Sequence, residues 1–349
     1  MYGSGCVQMR NTTETRSRLT AGIRCQFLIG LVLNFAAMYS RGDADDLPPA
    51  PPGAFSIVVL PDTQAYCTEE KAVYFESEIE WILQNRDSQN IVFVSHVGDI
   101  VDDYQSDSEW EVARKNMLRL SGTLPFGFSV GNHDMLSSGD SRKFQEAFPA
   151  SLFESFDWYG GQIKNNANSY QLISAAGMDF LILHLECNAP DDVLKWASGV
   201  LEEHADRRAM ITTHMYLGPR DQPRKSRDYY DAPKGRMRWS KRHGDNGNTP
   251  QQLWEKCFSR HRNVFLICCG DQSRTQAMHR TVKGEHGNVV HECLSDYRDG
   301  FLRIYRFEPS TRRISVITWS PFQRELCDGT KIVADVGQHQ FVLQHDLSN

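Results

Sequence analysis

Val97-Gly98-Asp99-Ile100-Val101-Asp102 decides how this chain is read. An apolar run over residues 91–97 ends on a glycine, and two carboxylates follow it. Three other stretches repeat the arrangement. Residues 57–60 lead into Asp62-Thr63-Gln64, residues 126–130 into Gly131-Asn132-His133-Asp134, and residues 209–213 into His214. Short apolar runs bounded by turn residues read as buried strands. Side chains that leave consecutive strand ends converge at one edge of an α/β sheet, where such folds hold their ligands. Carboxylates, amide oxygens and an imidazole gathered there suit a hard or borderline divalent cation.

Outward from these segments, strands alternate with helices, which predicts an α/β layered fold. Phe75, Ile79, Ile82 and Leu83 stand at helical spacing. Ser108-Glu109-Trp110-Glu111 has the pattern of a capping box. Ala175-Ala176-Gly177 separates strand-like runs at 169–173 and 179–185 and predicts a hairpin. Residues 193–204 are amphipathic. Thr249-Pro250 offers an N-cap and an N1 proline to a helix running to His261. Further strands are expected at 289–294, 301–307 and 314–319.

The 349 residues suffice for one large domain or two small ones, and a net charge of −6 argues against general nucleic-acid binding. Arg10, Arg16, Arg18 and Arg24 precede an apolar run at 27–37 that is too short for a typical transmembrane helix. Small residues in Gly42-Asp43-Ala44 suit a cleavage site. The expectation is a secretory signal peptide over 1–44 and export to a periplasmic or extracellular space; the alternative is an N-terminal membrane anchor. A Pro-rich linker at 45–53, a main domain at 54–325 and an extension at 326–349 complete the expected organisation. Of nine cysteines, Cys6 and Cys25 fall in the leader. The remaining seven are odd in number, so at least one thiol stays unpaired within the chain. Cys268 and Cys269 read as core.

Residues 216–248 differ from their surroundings. They are polar, lack apolar periodicity and carry Arg220, Arg224, Lys225, Arg227, Lys234, Arg236, Arg238, Lys241 and Arg242. A loop this long inside a compact domain is usually functional or disordered. Two readings stand: a solvated insertion, or a cationic lid that recruits a phosphorylated substrate.

In order and spacing, the four segments resemble the calcineurin-like metallophosphoesterase superfamily. That family reads Asp-x-His, Gly-Asp-x-x-Asp, Gly-Asn-His-Asp/Glu, a single His and Gly-His-x-His. The resemblance implies a two-sheet β-sandwich flanked by helices, in four layers αββα, and hydrolysis of a phosphomonoester or phosphodiester by a metal-activated water. It implies two divalent ions. Asp62, Gln64 and Asp99 would hold the first, and Asn132, His214 and Asp99 the second. His133 would face the leaving group, oriented by Asp102, with Asp134 as the alternative orienting group. The chain departs from the family twice. Gln64 stands where a histidine is usual, and the last motif reads Gly270-Asp271-Gln272-Ser273. Asp271 is a competent ligand for the second ion; Ser273 is a poor one for the first. An all-oxygen first site would prefer Mn²⁺ or Mg²⁺, with Fe or Zn admissible at the second. His243 and His279 are the other imidazoles that could serve the first site. Arg274 is the weaker expectation for contacting substrate phosphate. A phosphorylated small molecule or polymer is the expected partner.

The rival reading is a catalytically degraded member of the fold that binds a phosphorylated ligand or a protein partner. Retention of His133 and Asp102 argues against it, since a binding module needs no leaving-group acid. A purple-type acid phosphatase is disfavoured because Asp102 stands where that family needs a tyrosine. His96 and His184 lie within strands and read as packed, hydrogen-bonded residues.

Overall fold

The computed structural model describes residues 47–68, 70–218 and 242–347. The fold lies within Pro49–Asn349 and holds two seven-stranded mixed sheets. In the first, β1 (Phe55–Leu60) pairs parallel with β2 (Ile91–His96), and β2 with β3 (Phe126–Phe128). On the other side of β1 lies β11 (Leu302–Glu308), antiparallel to it, and then β12 (Arg313–Ser320), antiparallel to β11. The second sheet runs β4 (Tyr159–Ile163), β5 (Asn168–Ala175), β6 (Met178–His184), β7 (Arg208–Thr212), β8 (Val264–Cys269), β10 (Val289–Ser295), β9 (Ala277–Lys283). Its three inner junctions, β6–β7, β7–β8 and β8–β10, are parallel, so those strands deliver their ends to one edge.

Alternation along each strand builds the layers. Phe55, Ile57, Val59 and Phe93 of one sheet meet Phe180, Ile182, Met210 and Phe265 of the other in a buried apolar core. Phe180 lies edge-on to Phe55 at 5.7 Å and to Phe307 at 5.5 Å between ring centroids. Each such side chain contributes roughly 1.5–3 kcal/mol by leaving water. Outside the first sheet, Phe75 and Trp81 of α1 (Ala72–Gln84) approach His96 and Trp319. Trp110 of α2 (Asp107–Met117) and Phe128 of β3 both meet Phe144 of α3 (Arg142–Ala147) edge-on. The outer face of the second sheet packs on α4 (Asp191–Glu203) and α5 (Pro250–Lys256) through Val193, Leu194, Ala197 and Leu253. The αββα sandwich expected from the sequence is the observed fold.

Several local features differ from the expectations. The α2 helix is capped by Ser106, whose hydroxyl accepts from the Glu109 amide. Ser108 is a first-turn residue. Glu109 is free for another task, because its carboxylate accepts from the Asp102 and Asp103 amides at 2.7 and 3.0 Å. The α5 capping box joins Thr249 and Gln252 as expected, but the helix ends at Lys256 and a 3₁₀ turn over Phe258–Arg260 follows. Residues after 325, read as an extension, supply β14 (Phe341–Gln344), and β13 (Glu325–Leu326) straddles that boundary; both pair with β12. The seven described cysteines are all buried. Among the described residues, no helix is long and apolar enough to cross a membrane. The leader and most of the basic insertion, Arg220 to Lys241, lie outside the described residues.

Candidate metal centre

Each sheet contributes half of one polar cluster. Asp62 follows β1 and Asp99 follows β2; His214 follows β7 and Asp271 follows β8. Ligand atoms from Asp62, Asp99 and His214, all buried, lie within 4.8 Å of one another. His214 Nε2 is 3.1 Å from Asp99 Oδ1 and 3.6 Å from Asp271 Oδ1.

Backbone geometry makes this convergence possible. Asp99 and Asp271 have φ values of 50° and 66°, in the left-handed region that L-residues rarely adopt. The neighbouring glycines leave room for carboxylates. A Cβ on Gly131 would stand 2.2 Å from Asp99 Oδ1, and one on Gly270 2.0 Å from Asp62 Oδ1. The Asp271 amide donates to Asp62 Oδ2 at 3.0 Å, which ties the two sheets together at the centre.

Hydrogen bonding sets the tautomer of His214. Its Nδ1 lies 2.9 Å from the Val97 carbonyl oxygen, which can only accept, so Nδ1 carries a proton. The neutral ring then turns a bare Nε2 lone pair toward Asp99 Oδ1. Two acceptors facing each other in the interior require a positive charge between them, either a proton or a metal ion. Without a cation the ring takes the proton. Burial opposes this, but Asp99 and Asp62 outweigh it and hold the His214 pKa well above its usual value. Burial also opposes the ionised form of Asp99, yet His214 keeps its pKa below the ordinary carboxylate range. Asp62 goes the other way, raised by burial and then by Asp296.

Unmet bonding capacity marks the same place. Asp62 Oδ1, Gln64 Oε1, His214 Nε2 and both polar atoms of the Asn132 side chain are buried without a hydrogen-bond partner. Buried polar groups are normally paired, and each orphan costs about 1–3 kcal/mol. A divalent cation at the Asp62–Asp99–His214 cluster would satisfy Asp62 Oδ1 and His214 Nε2 together, so the residues present fit one. Asp62, Asp99 and His214 are the side chains whose ligand atoms come together, with Asp271 Oδ1 3.6 Å from His214 Nε2.

His133 stands at the rim, with its side chain 31% exposed. Its amide donates to Asp99 Oδ1 at 2.7 Å. Its Nδ1 lies 2.6 Å from the Asp102 carbonyl oxygen and 3.4 Å from that residue's Oδ1. Asp102 thus touches His133 mainly through its backbone, and Glu109 fixes the Asp102 loop from behind. Asp134, the alternative orienting group, points elsewhere. Its carboxylate accepts from the amides of Gly131, Ile100 and Val101 and clamps the two motif loops together.

The remaining expected residues are dispersed. Ser273 is half-buried and Arg274 exposed in the loop after β8. His279 stacks on Phe341 at 3.9 Å, and His243 Nε2 lies 3.4 Å from Glu186 Oε2. Neither imidazole belongs to the Asp62–Asp99–His214 cluster. Arg298 lines a cavity of about 300 Å³ with Gln64, Ala65, Thr68, Lys71 and Asp102. Its neighbour Tyr297 is buried, hydrogen-bonded to His339 and Arg303. Sequence reasoning missed Asp296, which is 1% exposed and acts electrostatically on Asp62. The available signal was an apolar run, 289–294, closed two residues later by a carboxylate.

The chain is 28% identical over 293 residues to the uncharacterized protein YvnB of Bacillus subtilis (strain 168). That match takes in 80% of this chain, which spans about a fifth (21%) of the length of that relative. Among solved structures, purple acid phosphatase PPD1 from yellow lupin (Lupinus luteus) shares the fold. Its TM-score is 0.50 at 13% identity, covering 85% of this chain and 55% of that one. A 5'-nucleotidase precursor from Thermus thermophilus gives a TM-score of 0.45 at 12% identity, over 78% of this chain and 52% of that one. The family model for calcineurin-like phosphoesterases matches residues 55–246, from β1 through His214 and beyond, and this chain belongs to the calcineurin-like phosphoesterase family.

Proposed function

We propose that this chain is an exported hydrolase of phosphomono- or phosphodiesters that works with two divalent ions. The observation that carries the catalytic part is the buried cluster of Asp62, Asp99 and His214, drawn from both sheets, in which Asp62 Oδ1 and His214 Nε2 lack a hydrogen-bond partner. Asp62 and Gln64 would hold one ion, Asn132, His214 and Asp271 the other, and Asp99 both. Bound there, such ions lower the pKa of water and offset charge on phosphoryl oxygens.

The protein's own groups do the rest. Asp99 is kept in place by the His133 amide, and Asp62 by the Asp271 amide. Water adds to phosphorus as the bond to the leaving oxygen breaks. That oxygen needs a proton, and His133 is the exposed acid nearby. Because its Nδ1–H is committed to the Asp102 carbonyl, Nε2 can donate only from the imidazolium form. The proton released by the attacking water restores it. Export is proposed on the Arg-rich leader and the apolar run at 27–37.

The test is hydrolysis of an aryl phosphodiester and the matching monoester with Mn²⁺, Mg²⁺, Zn²⁺ or chelator, beside Asp99→Asn. Turnover that requires metal and is lost in the variant is the expected result. Folded protein without turnover under any metal would overturn the catalytic reading in favour of ligand binding.

A further inference from the structure

We propose that Asp296 is a metal-ligating residue on the Asp62–Gln64 side of the centre, supplying there the donor that Ser273 cannot. The inference deepens the function proposed above and rests on it.

Topology brings Asp296 to the right edge. β10 pairs parallel with β8, with Cys293 opposite Cys268 and Leu294 opposite Cys269. Asp296 thus leaves the end of β10 at the same sheet edge where Asp271 leaves β8. The chain therefore delivers a carboxylate from the strand next to the one whose loop has lost its histidines. The Asp296 amide donates to the Gln276 carbonyl at 2.8 Å, which fixes the backbone at this point.

The side chain itself is unusual. Asp296 is 1% exposed, and its Oδ1 has no hydrogen-bond partner. It acts on Asp62 more strongly than any other charged group does, and Asp99, Asp271 and His214 act on it in turn. Arg298 is the cation that bears most on Asp296, yet Arg298 is exposed and lines the adjoining cavity. A structural carboxylate is normally buried with donors around it, as Asp134 is. An orphaned one that feels Asp99 and Asp271 and acts on Asp62 gains nothing in a cation-free protein, where like charges repel. With a cation bound, the same carboxylate becomes an anionic oxygen ligand. Asp62, Asp99, Asp296 and the Gln64 amide then form an all-oxygen set, which suits Mn²⁺ or Mg²⁺ rather than Zn²⁺.

The experiment is Mn²⁺ binding to full-length protein, followed by calorimetry and by the electron paramagnetic resonance of free Mn²⁺, with Asp296→Asn, Asp296→His and Ser273→Ala. Wild type should take up two ions. Asp296→Asn should keep one and bind the other at least tenfold more weakly, while its metal-free form melts at or above the wild-type temperature because a repulsive charge is gone. Asp296→His should recover a second ion when Zn²⁺ is offered. Ser273→Ala should leave uptake unchanged. Two ions bound with wild-type affinities by Asp296→Asn would overturn the inference and leave the functional proposal standing. Failure of wild type to bind any Mn²⁺ would overturn both. A metal-free Asp296→Asn protein that is less stable than wild type would mark Asp296 as structural and count against the assignment.

Discussion

Two sets of buried histidines in this sandwich face opposite surroundings. His184 is satisfied at both nitrogens, with Ser95 Oγ and Gln171 Oε1 each at 2.8 Å. His96 is likewise paired, with Thr63 Oγ1 at 2.9 Å and the Gly98 amide at 3.1 Å. Burial lowers the pKa of both to about 3, so both are neutral packing elements. His214 is equally buried, but only Nδ1 is satisfied, and its open nitrogen faces carboxylates. Burial alone therefore says nothing about role. What separates the two sets is unmet bonding capacity and the sign of the charge nearby.

The sharpest way to break this contrast is His214→Ala beside Asp99→Asn. Either should lower kcat/KM by at least ~10³-fold, equivalent to about 4 kcal/mol, and abolish metal uptake in protein that is still folded. Unfolding instead of inactivation would class His214 with the packed histidines. His133→Ala should cost ~10²–10⁴-fold, and the loss should grow with the pKa of the leaving group, since a good leaving group needs no proton. A loss that is the same for nitrophenyl and alkyl esters would remove His133 from the acid role.

His184→Gln should do the reverse of His214→Ala. Metal uptake should persist while stability at pH 7 falls by about 1–3 kcal/mol, because a buried network loses a member. The pH profile adds a signed test. With a folded pKa of about 3, His184 stays neutral in the native state while the unfolded chain gains a proton below about 6.5. Its contribution is thus complete above that pH and fades at up to about 1.4 kcal/mol per unit as pH falls toward 3. Denaturant titrations from pH 7 to 4 should show a shallower decline in His184→Gln.

Glu78 extends the comparison to acids. It is fully buried in α1 with neither carboxylate oxygen paired, and burial raises its pKa well above the usual value. Stability then falls as pH rises from the unfolded carboxylate range through the folded pKa. Glu78→Gln should raise stability above neutral pH by about 1–2 kcal/mol and change nothing near pH 4. A variant less stable at high pH would reveal a cationic partner for Glu78.

Much of this was legible in the chain. Strands β1, β2, β7 and β8 are apolar runs closed by polar residues, and such boundaries survive folding because both faces of a central strand are buried. Strands β4 and β9 were not legible. Each lies at an edge of its sheet, half-buried, and carries Gly160-Gly161 or His279-Arg280, so pairing rather than hydrophobicity defines it. At the centre, the motifs announced Asp62, Asp99, Asn132 and His214. Asp296 escaped because only the β8–β10 pairing brings the chain leaving β10 to the edge where the chain leaves β8. The division of labour between Asp102 and Asp134 was also invisible, since it depends on which backbone amides each carboxylate meets.

The polar thread across the sandwich has a mechanical consequence. Ser95 Oγ, from the first sheet, touches both His184 Nε2 and Thr212 Oγ1, from the second, each at 2.8 Å. Apolar layers attract without direction and tolerate sliding, whereas hydrogen bonds do not. Because each sheet carries half of the centre, a small slip between them would pull Asp62 and Asp99 away from His214. The Ser95 contacts act as a dowel between two plates, indexing one sheet against the other so that four strand ends meet at a single point.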